Sequence, residues 1–190
     1  MNLVNRIPIG NNFPCTVNCI IEIPKGTSTK YEYDEELDIF KLNRCLYSSM
    51  NYTGSYGFVP QTLALDNDPL DVIVYNNTPI DTGILVEVEP IATINMTDNG
   101  DKDYKVVCVP TSHVKQYRSL KDLEPHWVSK TLNFFTHYKD LEDKTVVIDG
   151  WLSKTATKKI VKDGHSRWQK TNNIELYKNL ERERLQYGTI

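Results

Sequence analysis

Strand-type patterns fill roughly the first 110 positions of the chain, and the hydrophobic period then lengthens. Residues 16–23 are rich in β-branched and apolar side chains, and 29–33 and 39–42 are short strand candidates separated by a polar turn at 34–38. The apolar run Val72-Ile73-Val74-Tyr75 reads as a buried strand. Residues 83–96 carry Ile84, Val86, Val88, Ile91 and Ile94, with Pro90 predicted to mark a bend or bulge, and 104–109 form a further strand. Beyond these, Trp127, Thr131, Phe134, Phe135 and Tyr138 share one helical face, between Pro125 and the acidic pair Glu142-Asp143. Residues 145–151 return to a strand pattern, and Ser153 is the predicted N-cap of a second helical stretch. Short strands with two packed helices predict a mainly β chain with flanking α, built as a small β-barrel.

With 190 residues and no low-complexity linker, the chain is expected to form one domain, 1–190. Its core spans about 14–152 and a C-terminal extension about 153–190. The net charge of −3 gives no support to nucleic acid or an anionic membrane as partner, and no apolar run approaches a membrane span. The first 14 residues lack the basic start and apolar centre of a secretory signal. Cys15, Cys19, Cys45 and Cys108 include no Cys-x-x-Cys pair, so they read as thiols in a reducing, cytoplasmic setting.

Chemistry concentrates in Asp66-Asn67-Asp68-Pro69-Leu70-Asp71-Val72, where three carboxylates precede a buried strand. Pro69 fixes one backbone angle of what must be a tight turn. Charges held this close repel unless a cation or proton intervenes, and hard oxygen ligands suit Mg²⁺ or Mn²⁺. The same residues also make a good solvated turn. An EF-hand loop starting at Asp66 fails, because its sixth and twelfth positions hold Asp71 and Asn77 rather than Gly and Glu. An aspartyl-phosphate phosphatase would place Thr at the fifth position, where Leu70 stands; that weakens the option without excluding it.

A second acidic turn, Asp98-Asn99-Gly100-Asp101-Lys102-Asp103, joins two predicted strands. If the two turns meet at one end of a barrel, Asp66, Asp71, Asp98 and Asp103 can bind more than one divalent ion. Lys30 and Glu32 fall on one side of a strand, Arg44 follows another, and Tyr52 and Tyr56 read as phenols near a glycine turn at Gly57. Lys105 stands two residues after Asp103, and Tyr138-Lys139 closes the aromatic helix. Each cation alone is most simply a surface charge, and each tyrosine a core residue. Together, carboxylates beside Lys, Arg and Tyr donors make the kind of site that a small polyanion such as phosphate requires.

In these residues the chain resembles the family I soluble inorganic pyrophosphatases. The resemblance rests on Glu22-Ile23-Pro24-Lys25-Gly26, Lys30-Tyr31-Glu32, Arg44, Tyr52-x-x-x-Tyr56-Gly57, the aspartate loop, Asp98-x-x-x-x-Asp103-x-Lys105 and Tyr138-Lys139, in the family's order. It extends through about Trp151. It implies a five-stranded OB-like barrel with two main helices, to which this chain adds a C-terminal helical tail. It also implies Mg²⁺-dependent hydrolysis of pyrophosphate to two phosphates, by in-line attack of a metal-activated water. By resemblance Asp66, Asp71 and Asp103 hold the first metal, with Asp71 bridging to a second. Asp98 and Asp103 bind a further one near Glu22. Lys30, Arg44, Tyr56, Lys105, Tyr138 and Lys139 contact phosphate; Glu32 and Tyr52 line the cavity; Asp68 is the general base. The resemblance further implies a homo-oligomer, a hexamer for a chain this short.

The chain departs from that pattern in places. Thr53 replaces a common Pro, which is expected to loosen its turn, and Asn99 replaces a common acid, which is expected to weaken a peripheral metal. Residues 155–190 match the family poorly; Leu176, Leu180 and Glu181-Arg182-Glu183-Arg184 read as an amphipathic helix, and His165 and Trp168 receive no catalytic role. Two rivals stand beside the main reading: an OB-like binding module without catalysis, and a metal-dependent phosphatase of phosphate esters.

Overall fold

A computed structural model of the chain describes residues 2–142 and 144–186, with side-chain surroundings through residue 173. After a short helix α1 (Leu3–Arg6) come strands β1 (Val17–Ile23), β2 (Thr29–Asp34), β3 (Ile39–Cys45), β4 (Ser55–Val59) and β5 (Leu70–Val74). Then follow β6 (Leu85–Asp98), β7 (Asp101–Lys102), β8 (Lys105–Pro110), helix α2 (Pro125–His137), β9 (Val146–Leu152) and helix α3 (Lys154–Gln186).

Strands β1, β4, β5, β8 and β6 are neighbours in that order, and β1 pairs again with β6, Val17 opposite Val88, so the five close into a barrel. Only β5 and β8 run parallel within this ring. The barrel interior is filled by alternate residues from all five strands, including Val17, Cys19 and Ile21, Val59, Leu70, Val72 and Val74, Val88, and Val106 and Cys108. That is the period-two rule applied around a closed sheet. Ile23, Tyr56, Ile73, Ile94 and Val107 belong to a second cluster on the outer face, covered by Trp127, Phe134, Phe135 and Tyr138 of the α2 region. The aromatic face predicted for this helix is the one that is buried. Pro90 sits at a register shift between β6 and β8, as its lack of an N–H requires.

Three features differ from the sequence reading or extend it. Gly57 lies within strand β4, not at a turn: a Cβ there would stand 1.9 Å from the Ile20 carbonyl oxygen of β1. The glycine permits that close backbone approach; the bend before the strand carries Gly54 instead. β9 pairs with the far half of β6 rather than entering the ring, and β2 and β3 form a separate hairpin. Ser153 does open α3, its Oγ accepting from Ala156 N–H at 3.4 Å. Asp143 and the packing expected of Leu176, Leu180 and residues 181–184 lie outside the described residues and side chains.

Candidate active site

Because β5 and β8 are parallel, the loops that enter them lie at the same edge of the barrel. One loop brings Asp66 and Asp68, with Asp71 as the second residue of β5. The other follows Asp98, at the end of β6, and leads through Asp103 to Lys105, the first residue of β8. Strand alternation turns Asp71 and Lys105 outward, onto the same face as Ile73, Val107 and Tyr56. A cavity of about 340 Å³ opens there.

Lys105 is the hub. Its Nζ lies 2.5 Å from Asp71 Oδ2 and 2.5 Å from Asp103 Oδ1, with the residue only 4% exposed, and it stands 5.7 Å over the Tyr56 ring. Burial opposes the charged ammonium, but the Asp71 and Asp103 carboxylates outweigh it and hold Lys105 well above the usual lysine range. Asp103, also buried, is pushed upward by desolvation and by the nearby Asp71 charge, against the pull of Lys105. Lys139 pairs with Asp98 Oδ2 at the end of α2, while Asp98 Oδ1 is buried with no hydrogen-bond partner among the described residues. Burial pushes Lys139 below its ordinary range, with Asp98 pulling the other way.

The hairpin supplies the opposite wall. Lys30 Nζ meets Glu32 Oε1 at 2.5 Å, as their shared side of β2 predicts, and Asn43 Nδ2 donates to Glu32 Oε2 at 2.6 Å. Glu22 is buried and accepts from Tyr33 N–H at 2.8 Å; desolvation, with Asp71 and Glu32 adding to it, pushes its carboxyl up to about 8. Tyr52, Tyr56 and Tyr138 are held far above the usual phenol range, chiefly by burial, so they remain protonated donors at neutral pH. Their rings interlock with α2, Tyr52 on Phe134 at 4.9 Å and Tyr56 on Phe135 at 6.4 Å between centroids.

Asp66 and Asp68 stand exposed at the rim, where Asp68 N–H donates to Asp66 Oδ1 at 3.1 Å. Partial desolvation and the charges of Asp66, Asp71 and Glu32 raise the Asp68 carboxyl above its ordinary range.

The wall of this cavity includes thirteen of the fourteen sequence-predicted site residues and omits Arg44. Arg44 lies opposite Lys30 in the hairpin but turns to Glu142, with Nε 3.0 Å from Oε1 and Nη2 3.0 Å from Oε2. Nothing in the sequence marks that pairing, since the partners are far apart along the chain. Tyr33 and Glu35 also line the wall without any motif to announce them.

Neither departure leaves a hole. Thr53 is buried with its hydroxyl 2.8 Å from that of Thr131, and its carbonyl accepts from Trp127 Nε1 at 2.9 Å, so α2 pins the turn that the missing proline was expected to loosen. Asn99 adopts a left-handed turn and its Oδ1 accepts from Thr145 N–H at 3.0 Å, which ties the turn to the approach to β9.

Among the described residues no three carboxylate, imidazole or thiol side chains are already drawn together into a ligand shell. The Lys105 ammonium lies between Asp71 and Asp103. The donor set nevertheless suits a hard divalent cation: carboxylate oxygens on both loops, with Asp68 and Asp103 destabilised by desolvation and by neighbouring carboxylates, and Asp98 Oδ1 without a partner among the described residues.

Comparison with known proteins bears on this arrangement. Residues 19–169 match the family model described as inorganic pyrophosphatase, which runs into α3 and so beyond the motif resemblance. The chain is 42% identical over 158 residues to the inorganic pyrophosphatase of Sulfolobus acidocaldarius, covering 80% of this chain and 91% of that one. It is 41% identical to that of Methanosarcina acetivorans over 155 residues, 80% of this chain and 92% of its relative. The crystal structure of inorganic pyrophosphatase from Thermus thermophilus superposes with a TM-score of 0.85 at 34% identity, covering 89% of this chain and 99% of that one. With a family match over most of its length, relatives near 40% identity and the shared barrel, the chain belongs to the family I inorganic pyrophosphatases.

Proposed function

We propose that the chain hydrolyses inorganic pyrophosphate to two phosphates in the cavity beside β5 and β8, with divalent metal as cofactor. The observation that carries the reading is Lys105, buried between Asp71 and Asp103 in a cavity that combines aspartates with lysine and tyrosine donors. Asp66, Asp71, Asp98 and Asp103 would hold Mg²⁺, several ions per site, with Mn²⁺ as a substitute. Such ions, when bound, neutralise phosphate oxygens and make a coordinated water a stronger nucleophile.

The chain's own residues divide the remaining work. Lys30, Lys105 and Lys139 offer positive charge to the phosphate oxygens, and Tyr56 and Tyr138 offer neutral O–H donors. Arg44 joins them by exchanging its Glu142 partner for phosphate. Asp68, at the rim, accepts the proton from the attacking water, and its raised carboxyl range brings it nearer to the pH at which a base is most effective. Attack is in line on phosphorus with no covalent enzyme intermediate. Glu22, Glu32 and Tyr52 complete the cavity wall.

Phosphate release from pyrophosphate and from p-nitrophenyl phosphate, compared under Mg²⁺, tests the reading. Activity on pyrophosphate alone is expected; folded protein that releases none with Mg²⁺ or Mn²⁺ overturns it. The reading extends to a cytoplasmic homo-oligomer, a hexamer by family resemblance. Light scattering that gives a monomer at micromolar concentration removes that extension. Among the described residues no helix is long and apolar enough to cross a membrane.

A further inference from the structure

The loop that carries Asp66 and Asp68 contains two non-glycine residues in the left-handed region, Gln61 at φ 55° and Asn67 at φ 73°. Such backbone persists where the surroundings over-determine it. Gln61 is held on every side: its N–H donates to Val4 O at 2.8 Å, its Oε1 accepts from Ile9 N–H at 3.2 Å, and its carbonyl lies 2.7 Å from His165 Nδ1. Two residues on, Leu63 is tied twice to α3. Its N–H donates to Gly164 O at 3.0 Å, and its carbonyl accepts from Arg167 Nε at 2.8 Å.

The contact is built from both sides. His165 Nε2 lies 3.0 Å from Gln169 Nε2, so the glutamine amide donates there and Nδ1 carries the proton that reaches Gln61. Trp168 stacks on His165 at 5.7 Å and donates from Nε1 to Asn5 Oδ1 at 2.8 Å, locking the helix to the N-terminal segment. Phe13 covers the other ring contact at 5.1 Å. None of His165, Arg167 or Trp168 lines the active-site cavity.

We propose that His165 and Arg167 are positioning residues: from outside the cavity, α3 sets where the aspartate loop stands, and with it Asp66 and Asp68 relative to Asp71 and Asp103. The inference rests on the pyrophosphatase reading of that loop. Backbone carbonyls of Gln61 and Leu63 are the handles, and rigid placement of metal-binding side chains by the contacts around them is worth large factors in metal affinity and rate.

Arg167→Ala deletes the donor to the Leu63 carbonyl, Arg167→Lys keeps a donor, and His165→Phe keeps the ring packing while deleting the donor to Gln61. Three readouts apply: hydrogen exchange of residues 61–69 in metal-free protein, Mn²⁺ binding by calorimetric titration, and turnover well below the melting temperature. Arg167→Ala is expected to speed exchange in 61–69 at least about tenfold while β5 and β8 are unchanged. It should weaken Mn²⁺ binding and lower kcat by about tenfold each, with KM for pyrophosphate nearly constant. Arg167→Lys should recover most of the loss. If Arg167→Ala does not fold, His165→Phe is expected to give the same pattern. Unchanged exchange in 61–69, or faster exchange with unaltered Mn²⁺ affinity and kcat, overturns the proposal. Exchange and Mn²⁺ binding decide it even if the wild-type protein releases no phosphate from pyrophosphate, so its failure is separable from failure of the functional reading.

Discussion

Lys105 and Asp71 meet across the parallel β5–β8 pair, Nζ to Oδ2 at 2.5 Å, on a face where their strand neighbours are apolar. A cation fixed to one strand thus neutralises a carboxylate fixed to the next, and Asp103 shares it. Removing one member of a buried ionic group typically costs about 3–5 kcal/mol, because the charges left behind are uncompensated. Lys105→Met keeps the volume and removes the charge. In chelator its melting temperature is expected to fall by several degrees, and added Mg²⁺ should raise it more than in wild type. Calorimetry that shows equal melting temperatures in chelator would contradict this account of the hub.

Asp68 separates catalysis from metal binding. Asp68→Asn keeps the shape of the rim and removes the proton acceptor, so turnover is expected to fall by about 10²–10⁴. Pyrophosphate affinity should change little, and excess Mg²⁺ should not rescue the rate. Asp66→Asn, by contrast, should be partly rescued. Steady-state kinetics across a Mg²⁺ series distinguishes the two; full recovery of Asp68→Asn at high Mg²⁺ would make Asp68 a ligand.

Glu22 makes stability depend on pH. Its carboxyl is raised from 4.5 to about 8 in the fold, so the folded protein binds that proton more tightly than the unfolded chain does. The contribution is complete below pH 4.5 and is lost as pH rises towards 8. Glu22→Gln retains an oxygen for the Tyr33 N–H and cannot ionise. Denaturant melts in chelator should therefore show the variant gaining on wild type through that interval. A constant difference between the two profiles would be inconsistent with a buried, neutral Glu22.

Two glycines make opposite predictions. At Gly57 a methyl group would meet the Ile20 backbone at 1.9 Å, so Gly57→Ala is expected to prevent barrel closure and yield insoluble or unfolded protein. At Gly164 the nearest atom would be Leu63 O at 3.5 Å, an ordinary contact, within a helix. Gly164→Ala should be neutral or stabilising by up to about 1 kcal/mol, from helix propensity. Expression and thermal melts of the pair provide the check.

What the sequence made legible follows local rules. Runs of β-branched and apolar residues located β1, β2, β3, β5, β6, β8 and β9 to within a few residues, and the aromatic spacing in α2 identified its buried face. β4 escaped because its centre is Gly57, whose reason for being there is a neighbouring strand and not a turn. The two acidic turns were readable as motifs, but their meeting depends on the parallel pairing of β5 with β8, a relationship between segments more than 30 residues apart. Arg44 carried a motif but not its Glu142 partner. His165 and Trp168 lay in a stretch that carries none of the motifs, although the family model runs through it to residue 169, and their contacts with Gln61 and Asn5 emerge only in three dimensions.

The closed ring also has a kinetic consequence. Val17 must find Val88, and Ile73 must find Val107, before the two aspartate loops share an edge. Each junction closes a long loop and bears its entropy before any contact repays it, which slows folding relative to elements built from local contacts. The β2–β3 hairpin and helix α2 are local and can form earlier. During refolding from denaturant, helical circular dichroism should therefore recover ahead of phosphate release, and the first turnover will time the moment the barrel shuts.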